Sequence, residues 1–314
     1  MRDGPRIGVV GATGAVGTVT LELLGERGYE NVRAFASARS AGRTVAYGSG
    51  ELVVEEATPE SLGAGNLDLC LFSVGTAASR ELVPVARDAD AVCVDKSAAF
   101  RLTEGVPLVV PEVNGERARD HGGILANPNC STIPLTCVLK PLHDAAGLAR
   151  VRVATYQSKS GAGAQRMAEL RAEAPEEHDV VTDWTHEGGE FEEEAKIREE
   201  ARKILELPTL QISATCNRIP VLIGHAEAVW VDLERPLSAD EARELLAAAP
   251  SVRVDDSPTP RRARGGDEVL VGRIRQESPQ SLALFLACDN LRKGAALNAI
   301  QIAELLLERR AVAA

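Results

Sequence analysis

Asn127-Pro128-Asn129-Cys130-Ser131-Thr132 places a cysteine where an Asn/Pro turn gives way to a helix. A thiol at a helix N-terminus faces the positive end of the helix dipole and unpaired backbone N–H groups. Both favour the thiolate, the nucleophilic form. Cys70, Cys93, Cys137 and Cys288 stand instead in apolar surroundings, where a free thiol is a small core hydrophobe. There is no CxxC pair and no His cluster at zinc spacing, so no metal is expected.

A second group of residues supplies a partner for such a nucleophile. Gly11-Ala12-Thr13-Gly14-Ala15-Val16-Gly17 lies between an apolar run and a helical pattern, where a dinucleotide-binding turn belongs. Glycines let the backbone approach a pyrophosphate resting on the helix N-terminus. Gly11, Thr13, Gly14, Ala15 and Val16 are therefore candidate cofactor contacts. The next strand ends in Ser37-Ala38-Arg39-Ser40, without the acidic residue that would hold a ribose 2′-hydroxyl. The cation and two hydroxyls of Ser37, Arg39 and Ser40 suit a 2′-phosphate, so the expected cofactor is NADP rather than NAD. A reactive cysteine beside a nicotinamide points to aldehyde or acyl chemistry, in which a thiohemiacetal and a thioester interconvert by hydride transfer.

These groups need elements to hold them. Strands are expected at 6–10, 32–36, 67–73 and 91–94. Helices are expected after the glycine turn and at 78–87. The alternation implies a parallel, doubly wound sheet. A second region begins after Cys130, with strands at 151–157, 209–215, 226–233, 269–275 and 281–287. Its helices are expected at 164–174, 192–205 and 239–248, the last opened by Ser238 as N-cap. A terminal helix is expected at 294–310. Residues 258–266, rich in Pro, Arg and Gly, are expected to be a flexible, solvated loop.

The chain has 314 residues and is 45% hydrophobic, which allows two domains with sizeable cores. No apolar run reaches transmembrane length. Met1-Arg2-Asp3 leads straight into the first strand, which leaves no room for a secretory signal and suggests a cytoplasmic protein. The net charge of −11 argues against a nucleic-acid surface. It does not exclude a small anionic substrate held in a local basic pocket.

The sequence closely resembles the aspartate-β-semialdehyde dehydrogenase family. The matching stretches are GATGAVG at 11–17, SARSAG at 37–42, VPLVVPEVN at 106–114, NPNCSTI at 127–133, SGAG at 160–163, RIPV…H…E at 218–227, VGRIR at 271–275 and DNLRKGAALNAIQIAELL at 289–306. The resemblance implies Cys130 as the acyl-thioester nucleophile, His225 as general acid/base and Gln157 as the amide that orients the acyl group. The ordinary pKa of histidine suits proton shuttling near neutral pH. Arg218 is implied to pair with a substrate α-carboxylate, a task suited to a bidentate guanidinium. Arg101 and Lys196 are implied to bind phosphate, and Glu193 the substrate amine. Ser160, Gly161 and Asn290 are implied to contact the nicotinamide end of the cofactor.

The resemblance also implies an α/β architecture: a Rossmann-type NADP-binding domain plus an α+β mixed-sheet catalytic and dimerisation domain. The first would hold residues 1–127 and the terminal segment 292–314, the second 128–291. A homodimer is expected, acting on a small-molecule substrate, with no nucleic-acid or membrane partner. The implied reaction is NADP-dependent reductive dephosphorylation of L-aspartyl 4-phosphate to L-aspartate 4-semialdehyde. The alternatives are a reductase for another acyl phosphate or acyl-CoA, and a non-catalytic NADP-binding homologue. Three departures stand out. Lys96 adds a cation near Arg101, Lys159 stands where the family has a small apolar residue, and the segment 174–190 is short where the family carries a longer helical insertion.

Overall fold

The structure is a computed structural model that describes residues 4–312; positions 1–3 and 313–314, at the two ends of the expected first domain, lie outside the described residues. The chain forms two compact units. One holds the chain up to Pro128 and again from Ala295, the other Asn129–Gly294.

In the first unit β1 (Ile7–Val10), α1 (Ala15–Glu26), β2 (Val32–Ala36), β3 (Thr44–Tyr47), β4 (Gly50–Glu56), α2 (Pro59–Leu62), β5 (Leu69–Phe72), α3 (Thr76–Asp88), β6 (Val92–Asp95), α4 (Pro111–Asn114) and β7 (Ile124–Ala126) follow in order. Among the described residues the sheet runs β3-β4-β2-β1-β5-β6-β7. All neighbours are parallel except β3, which turns back on β4. The runs IGVV and LCLF are buried throughout, as expected when both sheet faces are covered. β1 has β2 on one side and β5 on the other, so the strand order reverses there. The glycine turn leaves β1 at this switch point, where doubly wound sheets bind their ligands. The helix from Leu297 to Val312 returns to this unit and buries Leu297, Ile300 and Ala303 with Ile7, Leu21, Leu24 and Val94.

The second unit contains α5 (Thr132–Ala146), β8 (Leu148–Gln157), α6 (Ala164–Ala172), β9 (His186–Glu187), β10 (Glu190–Phe191), α7 (Glu192–Leu205), β11 (Gln211–Arg218), β12 (His225–Leu233), α8 (Ala239–Ala248), β13 (Val252–Val254), α9 (Pro260–Ala263), β14 (Val269–Ser278) and β15 (Ser281–Cys288). The helix from Leu297 is thus α10. The main sheet is mixed, in the order β11-β8-β12-β15-β14-β13. Alternation along β8 buries Val151, Val153, Thr155 and Gln157 on the face packed by α5 and α7. On the other face α9 covers only the end of the sheet around Ala226 and Ala287. Beyond it Ala228, Trp230 and Phe285 are half-buried and Tyr156 is exposed.

Several expectations are corrected. The strand expected at 209–215 runs instead to Arg218, because β11 stays paired with β8 as far as Gln157. Residues 258–266 are not a loose loop. Thr259 caps α9 by accepting the Arg262 N–H, and the Arg262 guanidinium binds Asp255 at 2.7 Å. The terminal helix does not start regularly at Gly294, since residues Arg292–Ala296 form a π-helical turn ahead of α10. The β3–β4 hairpin went unforeseen because its strands are only partly apolar, and β7 because its apolar run, Ile124–Ala126, is so short.

Candidate active site

Cys130 is half-buried two residues before α5, and its turn is built by Asn129. The Asn129 side-chain oxygen accepts the Ser131 N–H at 2.8 Å, and its carbonyl accepts the Ile133 N–H at 3.0 Å. These bonds start the helix and aim the intervening residue outward. The turn is held from α7 by two buried carboxylates seven positions apart, which share a helix face. Glu200 accepts the Asn129 backbone N–H at 2.6 Å, and Glu193 accepts the Asn129 side-chain amide at 2.9 Å.

His225 opens β12, and its Nε2 lies 3.2 Å from the Cys130 Sγ. Its Nδ1 accepts the Ser158 backbone N–H at 3.0 Å. A backbone N–H can only donate, so the proton of the neutral ring sits on Nε2 and faces the sulfur. His225 does not keep the near-neutral pKa expected from its type. Complete burial and the Arg218 cation push it down to about 3, outweighing a smaller opposing contribution from the Gly224 backbone. The ring is thus held neutral as an Nε2–H donor to sulfur. Behind it, Asn290 Oδ1 accepts from the Ser158 and Ser160 hydroxyls at 3.1 Å each and from the Gly224 N–H at 2.8 Å. Ser160 and Asn290, expected at the cofactor, therefore also brace the histidine.

Because β11 runs beside β8, Arg218 stands in register with Gln157, and His225 is next in the same row. Arg218 is buried, and its Nη1 donates to the Ser158 carbonyl at 3.1 Å. Gly161 keeps this corner open: a Cβ there would come within 2.9 Å of Arg218 Nη1 and 3.2 Å of His225 Nε2. The Gln157 amide donates to Glu193 at 3.2 Å. Lys196 lies 3.6 Å from Glu193 and 3.3 Å from Glu192 and is partly exposed. Cys130, Gln157, Gly161, Glu193, Lys196, Arg218 and His225 therefore belong to one unit and largely to one connected network.

Arg101 belongs to the other unit, on the loop after β6. It is buried and donates to the carbonyls of Asn127 at 3.1 Å and Lys96 at 2.6 Å. In the same unit the glycine turn shows the geometry of a phosphate cradle. Gly11 has φ of +89°, and a Cβ at Gly17 would lie 2.1 Å from the Gly11 carbonyl oxygen. No side chain caps α1, and no acidic residue occupies its first turn. Thr13 reaches Ser40 at 3.3 Å, drawing the end of β2 to the turn. Arg39 is exposed there and forms no ion pair with a described residue. These features fit a dinucleotide bearing a 2′-phosphate.

The remaining thiols fit the core reading. Contact with Cys70 and burial push the Cys93 thiol upward, and burial does so for Cys216 and Cys288. Sequence reasoning missed Glu200, Ser158 and Asp183. The spacing of Glu200 from Glu193 placed it on the same helix face, which was the available signal. The others act through contacts between distant segments.

The semialdehyde dehydrogenase NAD-binding domain model matches residues 6–121, and the semialdehyde dehydrogenase dimerisation domain model matches 139–293. The aspartate-semialdehyde dehydrogenase of Corynebacterium glutamicum is 43% identical, over 96% of this chain and 99% of that one. A crystal structure of aspartate semialdehyde dehydrogenase II complexed with ASA, from Vibrio cholerae, superposes with a TM-score of 0.91 at 36% identity, covering 97% of this chain and 98% of that one. A structure of aspartate semialdehyde dehydrogenase with NADP from Candida albicans gives a TM-score of 0.78 at 27% identity, covering 96% and 98%. With both family models matched in order and a relative of this similarity along nearly its whole length, the chain belongs to the aspartate-semialdehyde dehydrogenase family.

Proposed function

We propose that this chain is an NADP-dependent aspartate-semialdehyde dehydrogenase of aspartate-family amino-acid biosynthesis, working as a cytoplasmic homodimer. It reduces L-aspartyl 4-phosphate to L-aspartate 4-semialdehyde with release of phosphate. The observation that carries the reading is the Cys130 sulfur 3.2 Å from an Nε2–H of a histidine locked in one tautomer.

The Cys130 thiolate attacks the acyl carbon. The bond from that carbon to the phosphate oxygen breaks, leaving a thioester on the sulfur. NADPH, when bound at Gly11, Thr13, Gly14, Ala15, Val16, Ser37, Arg39 and Ser40, supplies the hydride that takes a thioester to the thiohemiacetal level. Collapse then breaks the carbon–sulfur bond. Cys130 leaves as thiolate, stabilised by the hydrogen bond from His225 Nε2–H. Arg218 holds the substrate α-carboxylate, Glu193 its ammonium group and the Gln157 amide its reacting carbonyl. Lys196 and Arg101 bind the phosphate. The half-buried outer sheet face around Tyr156, Trp230 and Phe285 serves as the dimer surface. Among the described residues no helix is long and apolar enough to cross a membrane.

The test is a reverse-direction assay with L-aspartate 4-semialdehyde, phosphate and NADP, following NADPH formation. Wild type is expected to turn over, and Cys130→Ser to fall by at least about 10³-fold. Retained activity in Cys130→Ser, or a strong preference for a CoA acceptor over phosphate, would overturn the reading.

A further inference from the structure

The segment that is short in this chain carries an acid into the substrate corner. Asp183 Oδ1 accepts from Arg218 Nε at 3.2 Å and from Nη2 at 3.1 Å. The two side chains are 18% and 3% exposed, so this is a sheltered ion pair. Trp184, the next residue, lies with its ring centre 4.4 Å from the Arg218 guanidinium carbon. Val181 and Arg218 exchange both backbone hydrogen bonds, at 2.8 and 2.9 Å, which pins the segment over the strand end. The opposite guanidinium corner, Nη1, is committed to Ser158. The Nε/Nη2 edge, the one that suits a bidentate carboxylate, is therefore already filled by this protein's own carboxylate.

We propose that Asp183 is a specificity-determining residue that occupies Arg218 until the substrate's α-carboxylate displaces it. This rests on the reading of Arg218 as the α-carboxylate anchor. A buried guanidinium with no partner is costly, so Asp183 neutralises it while the site is empty. An incoming amino-acid head must offer a carboxylate good enough to replace Asp183. An aldehyde lacking that group leaves the pair closed. The exchange lowers apparent affinity by the fraction of molecules in which Arg218 is free. Displacing Asp183 also moves its neighbour Trp184 off the guanidinium.

The test uses L-2-aminobutyrate, which has the substrate's ammonium and carboxylate but no aldehyde. Its binding is followed by Trp184 fluorescence in a Trp230→Phe background and by thermal shift. Asp183→Asn, with Asp183→Ser as a second variant, is expected to bind it roughly 5- to 20-fold more tightly. KM for aspartate semialdehyde should fall in parallel, with kcat within about twofold. The ligand-free variant should melt lower than wild type, and saturating L-2-aminobutyrate should close most of that gap. Equal or weaker binding in both Asp183 variants, with Arg218→Gln still losing binding, would make Asp183 a mere support for Arg218 and overturn the exchange. If Arg218→Gln binds L-2-aminobutyrate as wild type does, the carboxylate-anchor reading falls and the exchange falls with it.

Discussion

His225 is a donor by virtue of its surroundings. The Ser158 N–H blocks a proton at Nδ1, and burial together with the Arg218 cation opposes a charge on the ring. The pH profile of kcat/KM should therefore show no ionisation of His225 near 6.5 in the ligand-free enzyme. His225→Ala should lower kcat by roughly 10²- to 10³-fold at any pH between 6 and 8, the scale of losing one preorganised donor. A wild-type limb near 6.5 that vanishes in His225→Ala would reverse this assignment. Gly161→Ala tests the opening between Arg218 and His225. Its Cβ would meet both side chains, and a displacement of this size predicts a loss of about 10²-fold in kcat/KM with the fold intact. Unchanged kinetics would show that the substrate does not use this corner.

At the scale of elements, α7 is the clamp on the turn that carries Cys130. Glu193 and Glu200 present two carboxylates from one helix face to Asn129, so their register sets where Cys130 points. Glu200→Leu leaves the buried Asn129 N–H without its acceptor and should cost about 1–3 kcal/mol of stability. Turnover should drop with it while the NADP KM holds, and Glu200→Gln should restore part of both because its amide oxygen can accept. On β12, Glu227 faces the same side as His225, is fully buried and has no hydrogen-bond partner for either oxygen among the described residues. Burial raises its pKa well above the usual carboxylate range, so the folded chain keeps it protonated. The unfolded chain sheds that proton above about pH 4.3. Stability from this group is thus complete below that pH and declines as pH rises, by up to roughly 1.4 kcal/mol per unit. Glu227→Gln should flatten the decline in urea denaturation between pH 5 and 8; parallel curves for the two proteins would rule out the neutral acid.

For the whole molecule, cofactor choice and assembly rest on separate units. Arg39 meets solvent at the end of β2 with no ionic partner among the described residues, so Arg39→Ala should raise the NADP KM about tenfold and leave NAD use nearly unchanged. Equal effects on both cofactors would dissociate Arg39 from the 2′-phosphate. In the other unit, Tyr156 and Phe285 pack 6.0 Å apart on the sheet face that α9 leaves open. A charge there desolvates poorly, so Tyr156→Glu should shift sedimentation from dimer toward monomer. An unaltered dimer would move the interface elsewhere.

Local sequence determined much of this protein. The glycine turn, the apolar runs of β1 and β5, the span of α7 and the Ser238 cap of α8 follow from backbone freedom, periodicity and capping, which act over a few residues. Cys130 was marked by its own turn. The tertiary structure decided what pairing and burial control. Continued pairing with β8 carried β11 on to Arg218, an ion pair ordered the arginine-rich segment at α9, and burial turned His225 from a near-neutral shuttle into a fixed donor. It also set Asp183 on Arg218, 35 positions apart. Such contacts join segments whose separation in sequence carries no local signal, and the charge state of a buried group depends on what surrounds it in space rather than along the chain.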